Sequence, residues 1–182
     1  MHIFVGKHNL TTLSSKYYPD KTFQIPKDPG FTVIPSTTDN PDDSPEFRYW
    51  LSAAAFHGSA RATYISGMMY YNPDHKFHDE KKCFEMLSKS VQLGLIPAAC
   101  TLTWLCDPTS KGRISSCSSC KSITYYGILM SMMADDELMM VAYRDQAEAM
   151  MEGNNKYFPE PCLTWKEYED TVREAEQEFE RI

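Results

Sequence analysis

From Glu46 onward, apolar residues recur at spacings of three and four, the period of helices that bury one face. The pattern predicts seven helices, several of which end at glycine or just before proline. Their expected ranges are 46–57, 60–71, 79–93, 97–106, 119–133, 135–152 and 165–182. The last helix follows Thr164-Trp-Lys-Glu167, a capping-box sequence that is typical of a helix start.

The first 45 residues have a different pattern. They hold six of the eleven prolines, and proline removes a backbone donor and resists helix. Short extended pieces are predicted at 2–5, 22–25 and 31–34, before a polar and acidic linker at 37–45. Because Phe31 and Ile34 are apolar, we expect this arm to dock on the helical body. The predicted division is an arm at 1–45, helical repeats at 46–163 and a capping helix at 164–182.

An internal repeat of 36 residues lies within the helical segment. Residues 50–62 align with residues 86–98 without a gap. The identical pairs are Leu51 and Leu87, Ser52 and Ser88, Gly58 and Gly94, and Ala62 and Ala98. A fixed period of this length indicates stacked helix pairs, because each unit can bury its apolar face only against its neighbours.

The best unit, 60–94, resembles the Sel-one-like repeat family, a branch of the tetratricopeptide-like α/α repeats. The matching residues are Ala62, Ser66-Gly67-Met68-Met69-Tyr70, Asp79, Phe84, Ser88-Lys89-Ser90 and Gly94. The resemblance implies a mainly α fold, a short α/α-repeat solenoid over 46–153 with the extended arm before it and the last helix as a cap. It also implies a concave protein-binding surface rather than a reaction.

A third copy of the repeat is degenerate. In this copy, residues 126–129 are expected to correspond to 66–69, and residues 142–153 to 83–94. The chain also departs from the family pattern at Trp104, where a small residue is usual, and in the long insert at 107–119.

The resemblance implies that the first helix of each unit lines the concave face. We therefore expect partner contacts from Tyr64, Met68, Tyr71, Thr101, Trp104 and Leu105. Aromatic residues are among those that most often supply the binding energy of an interface. The alternative is that Tyr64, Met68 and Trp104 simply fill the space between stacked units.

Charge narrows the choice of partner. The net charge is −7, from 18 Lys and Arg against 25 Asp and Glu, and the chain has no basic stripe. This argues against nucleic acid and favours a protein with a basic or apolar surface.

Residues 123–134 form the longest apolar segment, which is too short to span a bilayer. Since Met1–Gly6 does not resemble a signal peptide, we expect a soluble, cytoplasmic protein without a membrane partner.

The six cysteines are expected to be free thiols, because the sequence has no apparent leader. Cys83 and Cys100 lie in apolar helical patterns and are expected in the core. A minor alternative is a zinc site, although the chain has only one Cys-x-x-Cys pair. Its candidate ligands are Cys106, Cys117 and Cys120. If Cys117 is reactive, its place near a helix start would lower its pKa.

Two other features, a pair of histidines and a group of methionines, have both a functional and a purely structural interpretation. His75 and His78, flanked by Asp74 and Asp79, could bind a metal weakly, but exposed loop histidines are common. Seven of the eleven methionines lie within 130–151. We expect most of them in the core and some exposed, where they would make an adaptable docking surface.

The sequence contains no glycine-rich phosphate loop and no nucleophile motif, so neither an enzyme nor a cofactor is expected. The predicted function is a non-catalytic module that binds another protein on its helical-repeat surface. A narrower form of this prediction is an inhibitor or immunity-type protein of microbial or phage origin. The alternatives are a cysteine-based zinc or redox protein and a structural subunit of a larger assembly.

Overall fold

A computed structural model describes residues 26–34, 44–72 and 78–182. Over these residues the protein is mainly helical, with seven α-helices and no β-strand. The helices are α1 (Pro45–Phe56), α2 (Ala60–Tyr71), α3 (Glu80–Gln92), α4 (Ile96–Cys106), α5 (Cys120–Ala134), α6 (Glu137–Glu152) and α7 (Trp165–Phe179). All seven predicted helices are present at nearly the predicted bounds.

Side-chain caps explain where most of the helices begin. Six of the seven have a capping side chain that accepts a hydrogen bond from a backbone N–H of the first turn. The capping residues are Ser44, Ser59, Asp79, Ser119, Asp136 and Thr164. The capping box before α7 is confirmed, because Thr164 accepts from the Glu167 N–H while Glu167 accepts from the Thr164 N–H.

Two connections between helices are built alike, 36 residues apart. Gly58 follows α1 and Gly94 follows α3, with φ of 87° and 83°. In both turns the glycine N–H donates to the carbonyl three residues earlier, and the next N–H donates to the carbonyl five residues before it. The positive φ explains the glycines, because a side chain is strained in this region.

The connection from α5 to α6 repeats this geometry without a glycine. Asp135 has a φ of 53°, and the N–H groups of Asp135 and Asp136 make the same two types of hydrogen bond. Helices α1, α3 and α5 therefore each precede a tight turn, and α2, α4 and α6 each follow one. The expected correspondence of 126–129 with 66–69 is wrong, because it matches α5, which precedes a turn, with α2, which follows one. The correspondence of 142–153 with 83–94 is wrong for the converse reason, because it matches α6 with α3.

Burial follows the same 36-residue offset through two consecutive helices. Seven positions are buried in α1 or α2 and again in α3 or α4. The pairs are Leu51 and Leu87, Ala55 and Val91, Ala62 and Ala98, Thr63 and Ala99, Ser66 and Leu102, Gly67 and Thr103, and Tyr70 and Cys106. The repeat seen in the sequence is thus a repeat of buried positions.

Each helix from α1 to α5 packs on the next one along the chain, and α7 packs on α5. Most buried apolar residues form one cluster that runs from Ile34 to Ala175, and a smaller cluster surrounds Met150 and Phe158. Glycine allows α2 to pack closely against α3. A Cβ added at Gly67 of α2 would lie 3.1 Å from the Cβ of Met86 in α3.

The described part of the N-terminal arm docks on α1, as expected. Ile34 is buried, its N–H donates to the Ser52 hydroxyl at 3.0 Å, and its carbonyl accepts from Arg48 at 3.0 Å. The Phe31 ring centroid lies 5.6 Å from that of Phe56. Residues 31–34 are not a strand, and the pieces predicted at 2–5 and 22–25 lie outside the described residues.

The methionines of residues 130–151 are less exposed than the sequence analysis expected. Met130 and Met150 are buried, and the other five are half-buried against their neighbours. The expectation that some of them are exposed is therefore wrong. None of the helices in the described part of the chain is both long and apolar enough to cross a membrane.

Candidate functional site

Five of the six residues predicted to bind a partner lie together on α2 and α4. We call them the aromatic strip: Tyr64, Met68, Tyr71, Thr101 and Trp104. On α2, Tyr64, Met68 and Tyr71 follow one another at spacings of four and three, which places them on one helix face. The strip is half-buried except at Trp104, whose side chain is 49% exposed.

Two contacts join the strip across the two helices. The hydroxyl oxygens of Tyr64 and Thr101 are 3.2 Å apart. Because Thr101 donates its own proton to the Pro97 carbonyl, Tyr64 is the donor in this hydrogen bond. At the other end, the Tyr71 and Trp104 rings meet edge to face, with centroids 6.0 Å apart and an interplanar angle of 69°.

The loop after α4 holds the exposed end of the strip. The Tyr71 hydroxyl donates to the Gly112 carbonyl at 2.9 Å. A Cβ added at Gly112 would overlap the Trp104 ring, so the loop backbone lies directly against the indole. Burial raises the pKa of the Tyr71 phenol, which keeps it protonated as a donor. Trp104 is therefore supported by Tyr71 and Gly112 and still presents half of its surface to solvent.

Leu105 does not belong to this surface. Its side chain is fully buried in the main cluster, although the neighbouring Trp104 is exposed. The prediction that Leu105 contacts a partner is wrong, because adjacent residues of a helix point in different directions. Sequence analysis also missed Gly112, whose role depends on a contact between a loop and a ring.

Two of the six cysteines are paired. Cys120, the first residue of α5, forms a disulfide with Cys162 in the segment before α7. The expectation of free thiols is therefore wrong for this pair. Cys83 is free and buried as predicted, and burial raises its pKa to about 12. Cys100 is exposed, so the expectation that it lies in the core is wrong.

The three zinc candidates separate into two groups. Cys106 and Cys117 are buried free thiols whose sulfur atoms are only 2.7 Å apart. Cys120 is bonded to Cys162 and is not available as a thiolate ligand while that bond is intact. Among the residues that the structure describes, no three His, Cys, Asp or Glu side chains are grouped to hold a metal ion.

The two close thiols are electrostatically unequal. Cys106 donates its S–H to the Cys117 sulfur, which raises the pKa of Cys106 and lowers that of Cys117. The lowered pKa that was expected for a reactive Cys117 is present. Its main cause is the Cys106 hydrogen bond rather than a helix start.

A cleft of about 590 Å³ lies between the loop after α4, helix α6 and the segment after α6. Asp107 and Thr109 line one wall, and Tyr157 and Phe158 line the other. The side-chain oxygen of Asn155 accepts the N–H groups of Tyr157 and Phe158, which fixes the second wall. No motif in the sequence pointed to this cleft.

Of the four candidate metal ligands around His75 and His78, the structure describes two, His78 and Asp79. Asp74 and His75 lie outside the described residues. His78 has its Nε2 atom 3.9 Å from a Glu80 carboxylate oxygen, and Asp79 caps α3. Two of the four candidate groups thus have structural contacts of their own.

The chain matches no protein-family model, no curated protein and no solved structure. The resemblance to the Sel-one-like repeat family is therefore not supported by these comparisons and stays a prediction. The functional argument depends on the geometry of the chain alone.

Proposed function

We propose that this protein is a non-catalytic, protein-binding α/α-repeat module of the Sel-one-like type, which binds a partner through the aromatic strip. One observation carries the proposal. Trp104 is 49% exposed although Tyr71 and Gly112 hold it in place. An exposed but immobilised indole loses little side-chain entropy when a partner covers it, and tryptophan is prominent among interface hot spots.

The helix connections support the repeat part of the proposal. The turns at Gly58 and Gly94 have the same hydrogen bonds 36 residues apart, and seven buried positions follow that offset. In an α/α repeat, this arrangement would place α2 and α4 side by side as the first helices of successive units. The strip would then lie on the face formed by these first helices.

The chemistry of the strip indicates what the partner presents. The indole and the Tyr71 ring would fit an apolar pocket, while the hydroxyls of Tyr64 and Thr101 offer polar contacts at the other end. Charge acts at longer range. From Thr164 to the C-terminus, seven acidic residues outnumber three basic ones, so a partner with a basic surface would be steered toward the protein.

The proposal is tested by quantitative capture from an extract of the source cell, with wild type and variants immobilised side by side. Trp104→Ala should reduce recovery of the bound protein at least tenfold, because a hot-spot tryptophan contributes about 2 kcal/mol or more. Gly112→Ala should also reduce recovery, since the added Cβ displaces the indole and leaves it in the chain.

The matched control is Trp165→Ala. Trp165 is 59% exposed but lies on α7, outside the strip. Its loss should leave recovery unchanged, and thermal unfolding should show that every variant is folded. Equal recovery of the same proteins by wild type and by Trp104→Ala would contradict the proposal.

Within this proposal, sequestration of a toxin or defence protein is the narrower form, in which the module is an inhibitor or immunity-type partner. The acidic charge of the chain supports it, since it suits a basic target. The cytoplasmic location expected from the sequence stays a prediction. The Cys120–Cys162 disulfide weighs against it, because disulfides persist mainly in oxidising compartments.

A further inference from the structure

Cys106 and Cys117 have a geometry that the protein-binding function does not explain. Their sulfur atoms are 2.7 Å apart, well inside the usual distance for sulfur atoms that merely pack together, and both side chains are buried. A disulfide needs sulfur atoms at about 2.05 Å, so a movement of less than about 1 Å separates this contact from a bond. Two thiols this close are positioned to react with each other.

We propose that Cys106 and Cys117 form a second disulfide, which closes the long loop 107–116 onto the end of α4. Beside the Cys120–Cys162 bond, it would be the second covalent link at the N-terminal end of α5. Cys83 and Cys100 then remain as thiols.

The backbone around the pair is already in place for this bond. The Ile114 N–H donates to the Leu105 carbonyl at 2.8 Å, and the Ser119 N–H donates to the Cys106 carbonyl at 3.2 Å. Hydrogen bonds thus connect the end of α4 to the chain on both sides of Cys117. Ile114 is fully buried, which anchors the loop further. Closure of the bond therefore requires side-chain adjustment rather than refolding of the loop.

The reaction requires an oxidant, for which we name a small-molecule disulfide such as oxidised glutathione. The Cys117 thiolate, favoured by the Cys106 hydrogen bond, attacks one sulfur of the oxidant and releases the other as a thiolate. Cys106 then loses its proton and attacks the Cys117 sulfur, which releases the second small thiolate. Two protein thiols lose two electrons and two protons, and the small disulfide becomes two thiols.

The bond would have a consequence at the aromatic strip. Gly112 lies within the closed loop and holds the Trp104 ring. Oxidation would thus restrict the segment that supports the exposed indole. This consequence rests on the proposed function, whereas the bond itself rests only on the cysteine geometry.

Tryptic mapping tests the bond directly. The protein is treated with oxidised glutathione under native conditions, alkylated in acid and digested without reduction. Trypsin separates Cys106 (peptide 90–111), Cys117 with Cys120 (peptide 114–121) and Cys162 (peptide 157–166). Two disulfides should yield one species of three linked peptides, in which Cys100 is alkylated. The proposal is overturned if peptide 90–111 is recovered unlinked, with Cys106 alkylated or bound to glutathione.

Two variants assign the bond to its atoms. Cys117→Ser should release peptide 90–111 and leave 114–121 linked to 157–166. Cys83→Ser is the matched control, since it also removes a buried free thiol, and it should keep all three peptides linked. If peptide 90–111 remains linked in Cys117→Ser, Cys106 pairs with a cysteine other than Cys117 and the proposal is wrong. Because the map involves no partner, its outcome is independent of the capture experiment.

Discussion

The helices α1 to α4 and the chain from 107 to 182 reach similar helix packing by different means. In the first region, tight turns at Gly58 and Gly94 connect α1 to α2 and α3 to α4. In the second region, the long connections 107–119 and 153–164 are fixed by buried apolar side chains, hydrogen bonds and a disulfide. The comparison shows that the 36-residue repeat is visible only where glycine makes the turn.

In the second region, buried side chains, a disulfide and side-chain hydrogen bonds hold the long connections in place. Ile114 of the first connection and Phe158 and Leu163 of the second are buried. A disulfide joins Cys162 to α5. The Asn155 side chain donates to the Ala149 carbonyl and accepts from the Phe158 N–H, which fixes the start of the second connection. These connections also supply the loop that supports Trp104 and residues in both walls of the cleft.

Loss of the disulfide, which fixes the second long connection, should produce the largest effect on stability. Cys162→Ser removes a link that spans 42 residues, which in the chain-entropy account lowers the free energy of unfolding by about 4 kcal/mol. Urea denaturation measures the change. The control, Cys100→Ser, removes an exposed free thiol and should cost less than about 0.5 kcal/mol. Equal stability of the two variants would show that the disulfide contributes nothing.

The next largest effect is expected from glycine substitutions, which should lower stability more in the second region than in the first. Gly153 has a φ of 66° and ψ of −153°, and an added Cβ would lie 2.7 Å from the Pro161 nitrogen. Gly153→Ala should cost about 3 kcal/mol, from backbone strain and overlap together. Gly58→Ala introduces backbone strain too, but nothing lies within 4 Å of the added Cβ. It should therefore lower the free energy of unfolding by only about 1 kcal/mol. Thermal unfolding of both variants checks the order, which the opposite ranking would contradict.

The turn at Asp135 offers a change in the stabilising direction. Asp135 has a φ of 53°, where a residue with a side chain is strained, and the corresponding residues in the first region are glycines. Asp135→Gly removes this strain. We expect a gain of about 0.5–1 kcal/mol in chemical denaturation, because relief of strain exceeds the added freedom of the unfolded chain. Asp136→Gly is the contrasting variant, since it removes the α6 cap and should destabilise. A loss of stability in Asp135→Gly would mean that the three turns are not equivalent.

The smallest predicted effect is a pH dependence at α7. Hydrogen bonds from Thr164 hold the pKa of Glu167 below its ordinary value of 4.5. Since the folded pKa is the lower one, the carboxylate stabilises the protein fully at neutral pH, and this contribution is lost as pH falls through the folded pKa. The stability difference between wild type and Glu167→Gln, which cannot titrate, should therefore shrink between pH 7 and about pH 3.

Thermal unfolding at several pH values measures this difference. Glu169→Gln, an exposed position on the same helix, is the matched control and should show a smaller change. A difference between wild type and Glu167→Gln that is constant with pH would contradict the assigned role of the capping box.

The helices, the glycine turns and the capping box before α7 could be predicted from the sequence, because periodicity, Gly58, Gly94 and Thr164-Trp-Lys-Glu167 are local signals. The turn at Asp135 was missed because aspartate only occasionally adopts this conformation, so its presence does not predict a turn of this kind. At the candidate site, the family resemblance pointed to α2 and α4, where five of the six residues lie together, but it also included Leu105, which is buried. The Cys120–Cys162 pairing and the Gly112 contact with Trp104 could not be predicted, because both depend on how long connections fold back on the helices.

The central claim is that a partner protein lies against Trp104. Photo-cross-linking tests it most directly, with benzoylphenylalanine in place of Cys100 in one protein and of Trp165 in another, each expressed in the source cell. Cys100 is exposed and lies one helical turn before Trp104, so the probe sits beside the indole and leaves it in place. The account predicts one cross-linked product of defined mass from position 100 and none from position 165. Failure of position 100 to cross-link, or the same product from both positions, would contradict it.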